Sequence, residues 1–179
     1  MRIWLDQVRE EPCNWNETER ITLEELDRPE LLAVGPVAWR GQVVYADPGF
    51  FLRGHLSYDQ TVSCNRCLTP IHEPVSAEVE LMILVERPAG GGSHGGSEHE
   101  LKEEDLGTLT LEGEILDTHP IILEQVQLNV PMKPLCRPDC QGLCPVCGID
   151  RNTGSCSCEE RTADTRWAPL AALKGRLTE

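Results

Sequence analysis

The most regular hydrophobic pattern in the chain runs from Val34 to Glu86. Apolar and polar residues alternate there with a period of two, the spacing that sends successive side chains to opposite faces of a strand. VGPVAWRGQVVYA and FFLRGHLSYDQTV flank Asp47-Pro48-Gly49, which reads as a turn in which Pro presets φ and Gly supplies φ > 0. A third run, VSAEVELMILV, follows Cys64-Asn-Arg-Cys67, with Val75, Ala77, Val79 and Leu81 alternating against polar neighbours. The Cys64–Cys67 pair thus falls at the turn between two antiparallel strands, where a bound metal would hold the register. His55 and His72 lie in the same region and read as structural histidines rather than ligands.

Outside this block the pattern is weaker. Residues 2–8 predict a first strand with Ile3, Leu5 and Val8 on one side, and Trp4 and Trp15 as packing residues. EEPCNWNETE carries Pro12 and reads as loop; residues 21–27 read as a short helix or strand, interrupted by Pro29. RPAGGGSHGGSEHE (87–100) has the composition of a flexible linker or long exposed loop, with His94 and His99 solvated. The acidic LKEEDLG then leads to a strand, TLTLEGEI. Asp117-Thr118-His119-Pro120 is a helix start, a capping side chain followed by Pro in the first turn. The helix places Ile122, Val126 and Val130 on one stripe with Ile121 and Leu128 beside it, and Pro131 and Pro134 end it just before Cys136. Near the end, Trp167, Leu170, Leu173 and Leu177 recur every three or four residues, an amphipathic helix over about 166–177 that packs onto the body of the protein.

Six of the nine cysteines crowd into CRPDCQGLCPVCGIDRNTGSCSC, residues 136–158. Cys144-Pro-Val-Cys147-Gly148 has the form of a zinc knuckle, in which the backbone turns under one ion and aims N–H groups at the sulfurs. Cys156-Ser-Cys158 supplies two more corners after a turn at Asn152, Thr153 and Gly154. That makes Cys144, Cys147, Cys156 and Cys158 one structural Zn²⁺ site. Cys64, Cys67, Cys136 and Cys140 form a second four-cysteine set, a long-range staple, and leave Cys13 as a small hydrophobe or exposed thiol. A different partition, Cys136, Cys140, Cys144 and Cys147 on one ion, is open on spacing. The first is preferred because the short 144–158 loop closes at small entropic cost.

Other cysteine chemistries fit less well. A disulfide scaffold expects an export signal, and MRIWLDQVREEP has charges where an apolar stretch would be needed. The C-x₃-C-x₂-C spacing of Cys140, Cys144 and Cys147 is one that radical iron–sulfur enzymes use, but the alternating strands and helices of their barrels are not in the pattern. A thioredoxin-like CxxC opens a helix, whereas Pro70 and a strand follow Cys67. Catalytic zinc keeps an open position, which eight thiolates in two sets do not leave.

Composition narrows the partner. Aromatic residues are 4% of the chain, so the core is built from Leu, Val and Ile with help from metal, and no apolar run is long enough for a membrane span. Unbridged thiols with no export signal indicate a reducing cytoplasm. The formal net charge is −14, and two filled four-thiolate zinc sites, each −2, would take it to about −18. Such a field disfavours direct phosphate contact and suits a basic protein. Glu98–Asp117 carries eight acids against one Lys, whereas from Pro131 onward seven basic residues meet six acidic ones. Any phosphate contact would therefore come from Arg137, Arg151, Arg161 or Arg166.

CNRCL followed by a strand, an acidic loop, a helix ending in NVPMKPLC, then the C-x₃-C-QGLCPVCG-x₇-CSC block and TRWAPLAALK together resemble the bacterial YceD family. This is the large ribosomal RNA subunit accumulation protein family, with plastid counterparts, and the likeness spans about Val34 to Leu177. One departure is Asp164-Thr165-Arg166-Trp167, where the family more usually has Asp-Pro-Arg-Trp. The resemblance implies a role in accumulation or processing of 23S rRNA and no enzymatic activity. The resulting expectation is an α+β protein: a mostly antiparallel sheet, one crossing helix, a C-terminal zinc-knuckle lobe and a terminal amphipathic helix. Residues 1–86 would form a β-rich part, 87–105 a loop, 106–135 the strand and helix that complete the domain, and 136–179 the zinc lobe. The expected partner is a ribosomal protein or assembly factor rather than a membrane or small-molecule substrate, met through Arg137, Arg151, Arg166 and Trp167. The alternatives are a direct RNA-binding zinc module using Arg137 and Arg151, and a zinc-dependent thiol redox sensor.

Overall fold

A computed structural model describes residues 1–86 and 107–158. The chain is mostly β-sheet with few helices, compatible with an α+β class. In chain order, β1 (Arg2–Trp4) runs into a helical turn, α1 (Leu5–Val8), and then β2 (Cys13–Glu19). A 3₁₀ turn (Leu23–Glu25) leads to β3 (Leu31–Val34), β4 (Val37–Ala46), β5 (Gly49–Ser63) and β6 (Pro70–Glu86). Beyond residue 106 come β7 (Thr108–Glu112), β8 (Ile115–Asp117) and α2 (His119–Leu128). The main sheet has the order β2-β4-β5-β6-β7, with β3 also paired to β5; β1 and β8 form a separate two-stranded sheet.

The alternation read from the sequence is what builds this sheet. Phe50, Leu52, Leu56, Tyr58 and Val62 on β5 all point inward and are buried, while Arg53 and Asp59 face out. Val37, Trp39 and Val43 on β4, with Val79 and Ile83 on β6, join the same face. The helix lays Ile122 and Val126 on it, and Val130 follows, so the predicted stripe is the buried one. Ile121 is also buried, whereas Leu128 is exposed. Burying these side chains at about 25 cal/mol per Å² of apolar surface is the main force holding sheet and helix together. Gly41 and Gly54 face each other across β4 and β5 because the rings of Trp15 and Trp39 lie over them; a Cβ on Gly54 would come within 2.2 Å of Trp39. The two indole rings meet at a tilt of 42°, with centroids 5.5 Å apart.

Several expectations change. EEPCNWNETE is largely strand β2: its outward residues Asn14, Asn16 and Thr18 are polar and only Trp15 is buried, a pattern that belongs to an edge. Residues 2–8 divide into a three-residue strand and a helical turn, although Ile3, Leu5 and Val8 are all buried as expected. The 21–27 stretch is the 3₁₀ turn, closed by a Thr22–Glu25 capping box. Gly49 does not take φ > 0; it is required because a Cβ there would lie 2.2 Å from the Ile83 carbonyl oxygen. TLTLEGEI breaks at Gly113 (φ 110°) into β7 and β8, which serve different sheets. β7 pairs with β6 in parallel, an arrangement that needs a long connection, and residues 87–106 supply the chain length. The expectations for 87–105, His94 and His99, and for the terminal helix with Arg166 and Trp167, lie outside the described residues.

Candidate metal centres

The β5–β6 hairpin ends in Cys64-Asn-Arg-Cys67, just beyond the Ser63–Pro70 pair. After α2, the prolines carry the chain back to this hairpin tip, where Asn65 N–H donates to the Pro134 carbonyl (2.9 Å). Cys136 and Cys140 thereby reach Cys64 and Cys67, and the four sulfurs lie within 4.8 Å of one another. Cys64 Sγ is 3.8 Å from Cys140 Sγ, and Cys67 Sγ is 3.6 Å from Cys136 Sγ. Those separations are far beyond a disulfide bond and match the roughly 3.8 Å edge of a tetrahedron of sulfurs about 2.3 Å from a central ion. Cys64, Cys67 and Cys140 are buried. We call this centre I.

Centre II is local. Cys144, Cys147, Cys156 and Cys158 also bring their sulfurs within 4.8 Å of one another, but only Cys144 is buried. The structure therefore selects the partition into 64/67/136/140 and 144/147/156/158; the single-ion grouping of Cys136, Cys140, Cys144 and Cys147 is not formed. Cys13 stands apart, half-buried against the core.

The two knuckles repeat one backbone design. The first cysteine N–H donates to the carbonyl five residues on, Cys64 to Thr69 (3.0 Å) and Cys144 to Ile149 (2.8 Å). Its carbonyl accepts from the residue after the second cysteine, Leu68 in one knuckle and Gly148 in the other, both at 2.9 Å. That residue adopts a left-handed conformation in both, φ 62° at Leu68 and 74° at Gly148. The geometry suits glycine, so Leu68 sits there under strain of about 1 kcal/mol or more.

Polar groups converge on the sulfurs, as a centre of net negative charge requires. Burial pushes the Cys64 thiol up, but N–H groups of Cys67, Cys136 and Arg66 outweigh it and hold it at about 6. N–H groups of Cys147 and Val146 likewise bring Cys144 to about 6. The Thr69 hydroxyl, 3.2 Å from Cys67 Sγ, lowers Cys67. The crowding appears in Cys136 and Cys158. Cys136 is pushed up to about 12 by burial and by its bonds to neighbouring sulfurs, and Cys158 to about 12 first by its bond to Cys147. Thiols that ionise readily thus sit beside one that resists in each set, a conflict that a dication among them would remove.

Around the sulfurs lie residues that sequence reasoning passed over or assigned elsewhere. Arg66 sends Nη1 to the Cys140 carbonyl (2.7 Å), and the Asn152 amide nitrogen lies 3.4 Å from Cys140 Sγ. Arg137, expected at a partner surface, donates to Asn152 Oδ1 (2.7 Å) and pairs with Asp139 (3.5 Å). Arg151 reaches Cys144 Sγ at 3.9 Å. Nothing in the spacing announces Arg66 or Asn152, because each acts on a cysteine brought to it only by folding. His55 and His72 are held by Ser76 (2.9 Å) and Thr61 (2.8 Å) respectively, as structural histidines.

A β-sheet protein carrying two closed four-cysteine centres, each able to hold a metal ion, is the class these observations define. Residues 52–174 match the family described as large ribosomal RNA subunit accumulation protein YceD. The chain belongs to that family. It is 31% identical over 127 residues to an uncharacterised protein of Mycobacterium tuberculosis, covering 71% of this chain and 56% of the relative. Over 134 residues it is 25% identical to the chloroplastic large ribosomal RNA subunit accumulation protein YCED homolog 1 of Zea mays, covering 64% and 44%. The chain thus spans about half the length of the curated relatives it matches. No solved structure matches. Among the described residues no helix is long and apolar enough to cross a membrane.

Proposed function

We propose that this chain is a non-enzymatic zinc protein of the cytoplasm that supports accumulation of large-subunit ribosomal RNA through a basic protein partner. The family match carries the ribosomal part of the reading. The zinc part is supported by the donor chemistry: four thiolates in a closed tetrahedron, with backbone N–H groups aimed at the sulfurs, suit Zn²⁺ and leave no coordination position for a substrate. Centre I would be held by Cys64, Cys67, Cys136 and Cys140, and centre II by Cys144, Cys147, Cys156 and Cys158. The ions would supply folding free energy rather than reactivity.

The net charge of −14 favours a basic protein over bare RNA. The arginines nearest the knuckles add to this, because Arg66 and Arg137 turn their guanidinium groups onto the lobe itself. Two measurements test the proposal. Elemental analysis of protein purified without added metal is expected to give two zinc ions per chain. Binding to purified large-subunit ribosomal proteins and to 23S rRNA fragments, across a salt series, is expected to show a salt-sensitive complex with a basic protein. Tight binding to the bare RNA with none to any of the proteins would reverse the assignment in favour of a direct RNA-binding module.

A further inference from the structure

Asn152 lies in the loop that closes centre II, between Cys147 and Cys156, yet its side chain addresses centre I. Its Nδ2 is 3.4 Å from Cys140 Sγ and 2.6 Å from Asp150 Oδ1. Its Oδ1 accepts from Gln141 N–H (2.8 Å) and from Arg137 Nη2 (2.7 Å). Both amide hydrogens and both oxygen lone pairs are therefore used. The reversed amide would set its oxygen against a carboxylate and a sulfur, and its NH₂ against two donors, so the orientation follows from the partners.

The backbone reinforces the link. Only Gln141, Gly142 and Leu143 separate the last ligand of centre I from the first of centre II. Leu143 N–H donates to the Arg66 carbonyl (2.9 Å), inside the first knuckle. Arg151 N–H, inside the second centre's loop, donates to the Gly142 carbonyl (2.9 Å). Gly142 takes φ 71° and passes so close that an added Cβ would lie 2.9 Å from the Arg66 oxygen. A loop anchored at both ends by centre II is thus what delivers a donor to a sulfur of centre I.

We propose that Asn152 is a positioning residue of centre I and that it couples the two centres, so that an ion in centre II tightens the hold of centre I on its own. The inference rests on the metal-binding reading of both centres. Without an ion at Cys144, Cys147, Cys156 and Cys158, ordering the 148–155 loop costs conformational entropy, and the amide reaches Cys140 for only part of the time. With the ion in place that ordering has already occurred. Linkage makes the effect reciprocal: filling centre I strengthens centre II by the same factor.

The test uses the full chain, zinc, and competition with a chelator of known affinity, with Co²⁺ absorption giving the number of four-sulfur sites. The wild-type chain is expected to hold two ions. A Cys156→Ser/Cys158→Ser variant is expected to hold one, about tenfold more weakly than wild-type centre I, the usual scale of an outer hydrogen-bond partner. Asn152→Ala, with both centres intact, is expected to weaken centre I by a similar factor, and added to the double variant it should change little further. Asn152→Asp keeps the size and loses the donor to sulfur, so it should weaken centre I while the zinc-saturated protein keeps the circular dichroism of the wild-type fold, which separates coupling from unfolding. Unchanged centre I affinity in both the double variant and Asn152→Ala overturns the coupling and leaves the two sites standing. A wild-type chain that takes up neither zinc nor cobalt overturns the sites and the coupling together.

Discussion

Centre I and centre II use the same knuckle design and four thiols each, yet one is assembled across the fold and the other within a single loop. In centre I, Cys67 and Cys136 are 69 residues apart; in centre II, Cys147 and Cys156 are nine apart. Closing the longer loop from an unfolded chain costs about 2 kcal/mol more. That cost is offset by the sheet, which delivers Cys64 and Cys67 on a paired hairpin, and by α2, which docks on the core and returns the chain to the hairpin tip. Centre I therefore joins its stability to that of the sheet. Centre II, with one buried sulfur, closes within residues 144–158 and meets centre I through Asn152.

The largest expected effect separates the two directly. Cys64→Ser should remove one ion and destabilise the sheet by about 5 kcal/mol or more, since an ion at a structural site of this kind contributes on the order of 10 kcal/mol. Cys156→Ser should also remove one ion but lower the stability of the sheet by only about 1–2 kcal/mol, the scale of a tenfold weaker hold at centre I. Circular dichroism in a denaturant series, together with metal content, checks both; equal destabilisation would erase the distinction. Next in size is the order of metal loss. A chelator should strip the wild-type protein in two phases, with the more exposed centre II emptied first, and Cys158→Ser should leave a single phase, that of centre I.

A smaller effect tests the shared knuckle geometry. Leu68→Gly should stabilise centre I by up to about 1 kcal/mol by relieving the left-handed leucine, partly offset by the added freedom of glycine in the unfolded chain. Gly148→Leu should cost centre II about 1 kcal/mol. Thermal unfolding and zinc affinity report each change, and opposite signs at the two positions are the expected result.

The smallest concerns the body of the protein rather than its metals. His119 Nδ1 meets the Glu19 carboxylate and Nε2 lies 3.2 Å from Glu25, and these contacts, Glu19 first, raise its affinity for a proton. A raised folded value means that its contribution is complete below about pH 6.5 and is lost as pH rises through that higher value. The metal centres change in the other direction, because thiols must lose protons to bind. Subtracting the stability of His119→Asn from that of wild type across pH should leave a difference, under about 1 kcal/mol, that declines from pH 6.5 upward. A difference that grows over that range would contradict the assignment.

Much of the architecture was legible where one face of a strand is buried. The alternation on β5 and β6 and the Ile122–Val126–Val130 stripe are enforced by burial, and burial writes itself into residue type. β2 was illegible for the same reason reversed: at an edge, with a single buried Trp15, it leaves no apolar rhythm. The parallel pairing of β7 was also out of reach, because five residues carry no statement about the direction of their neighbour. Gly49 shows a subtler gap, since a turn glycine and a close-contact glycine are the same letter.

By itself the sequence determined the chemistry: thiols in CxxC and CxC pairs, a chain of strong negative charge, and the strands that present the first knuckle. Those properties depend on residue identity and short spacing. Tertiary structure settled which cysteines come together, and it alone decided that Asn152 from one loop serves a sulfur of the other set and that Arg66 and Arg137 turn toward the lobe. Those contacts join residues up to 76 positions apart, and such distances close only when burial of the sheet and helix has already brought the ends together.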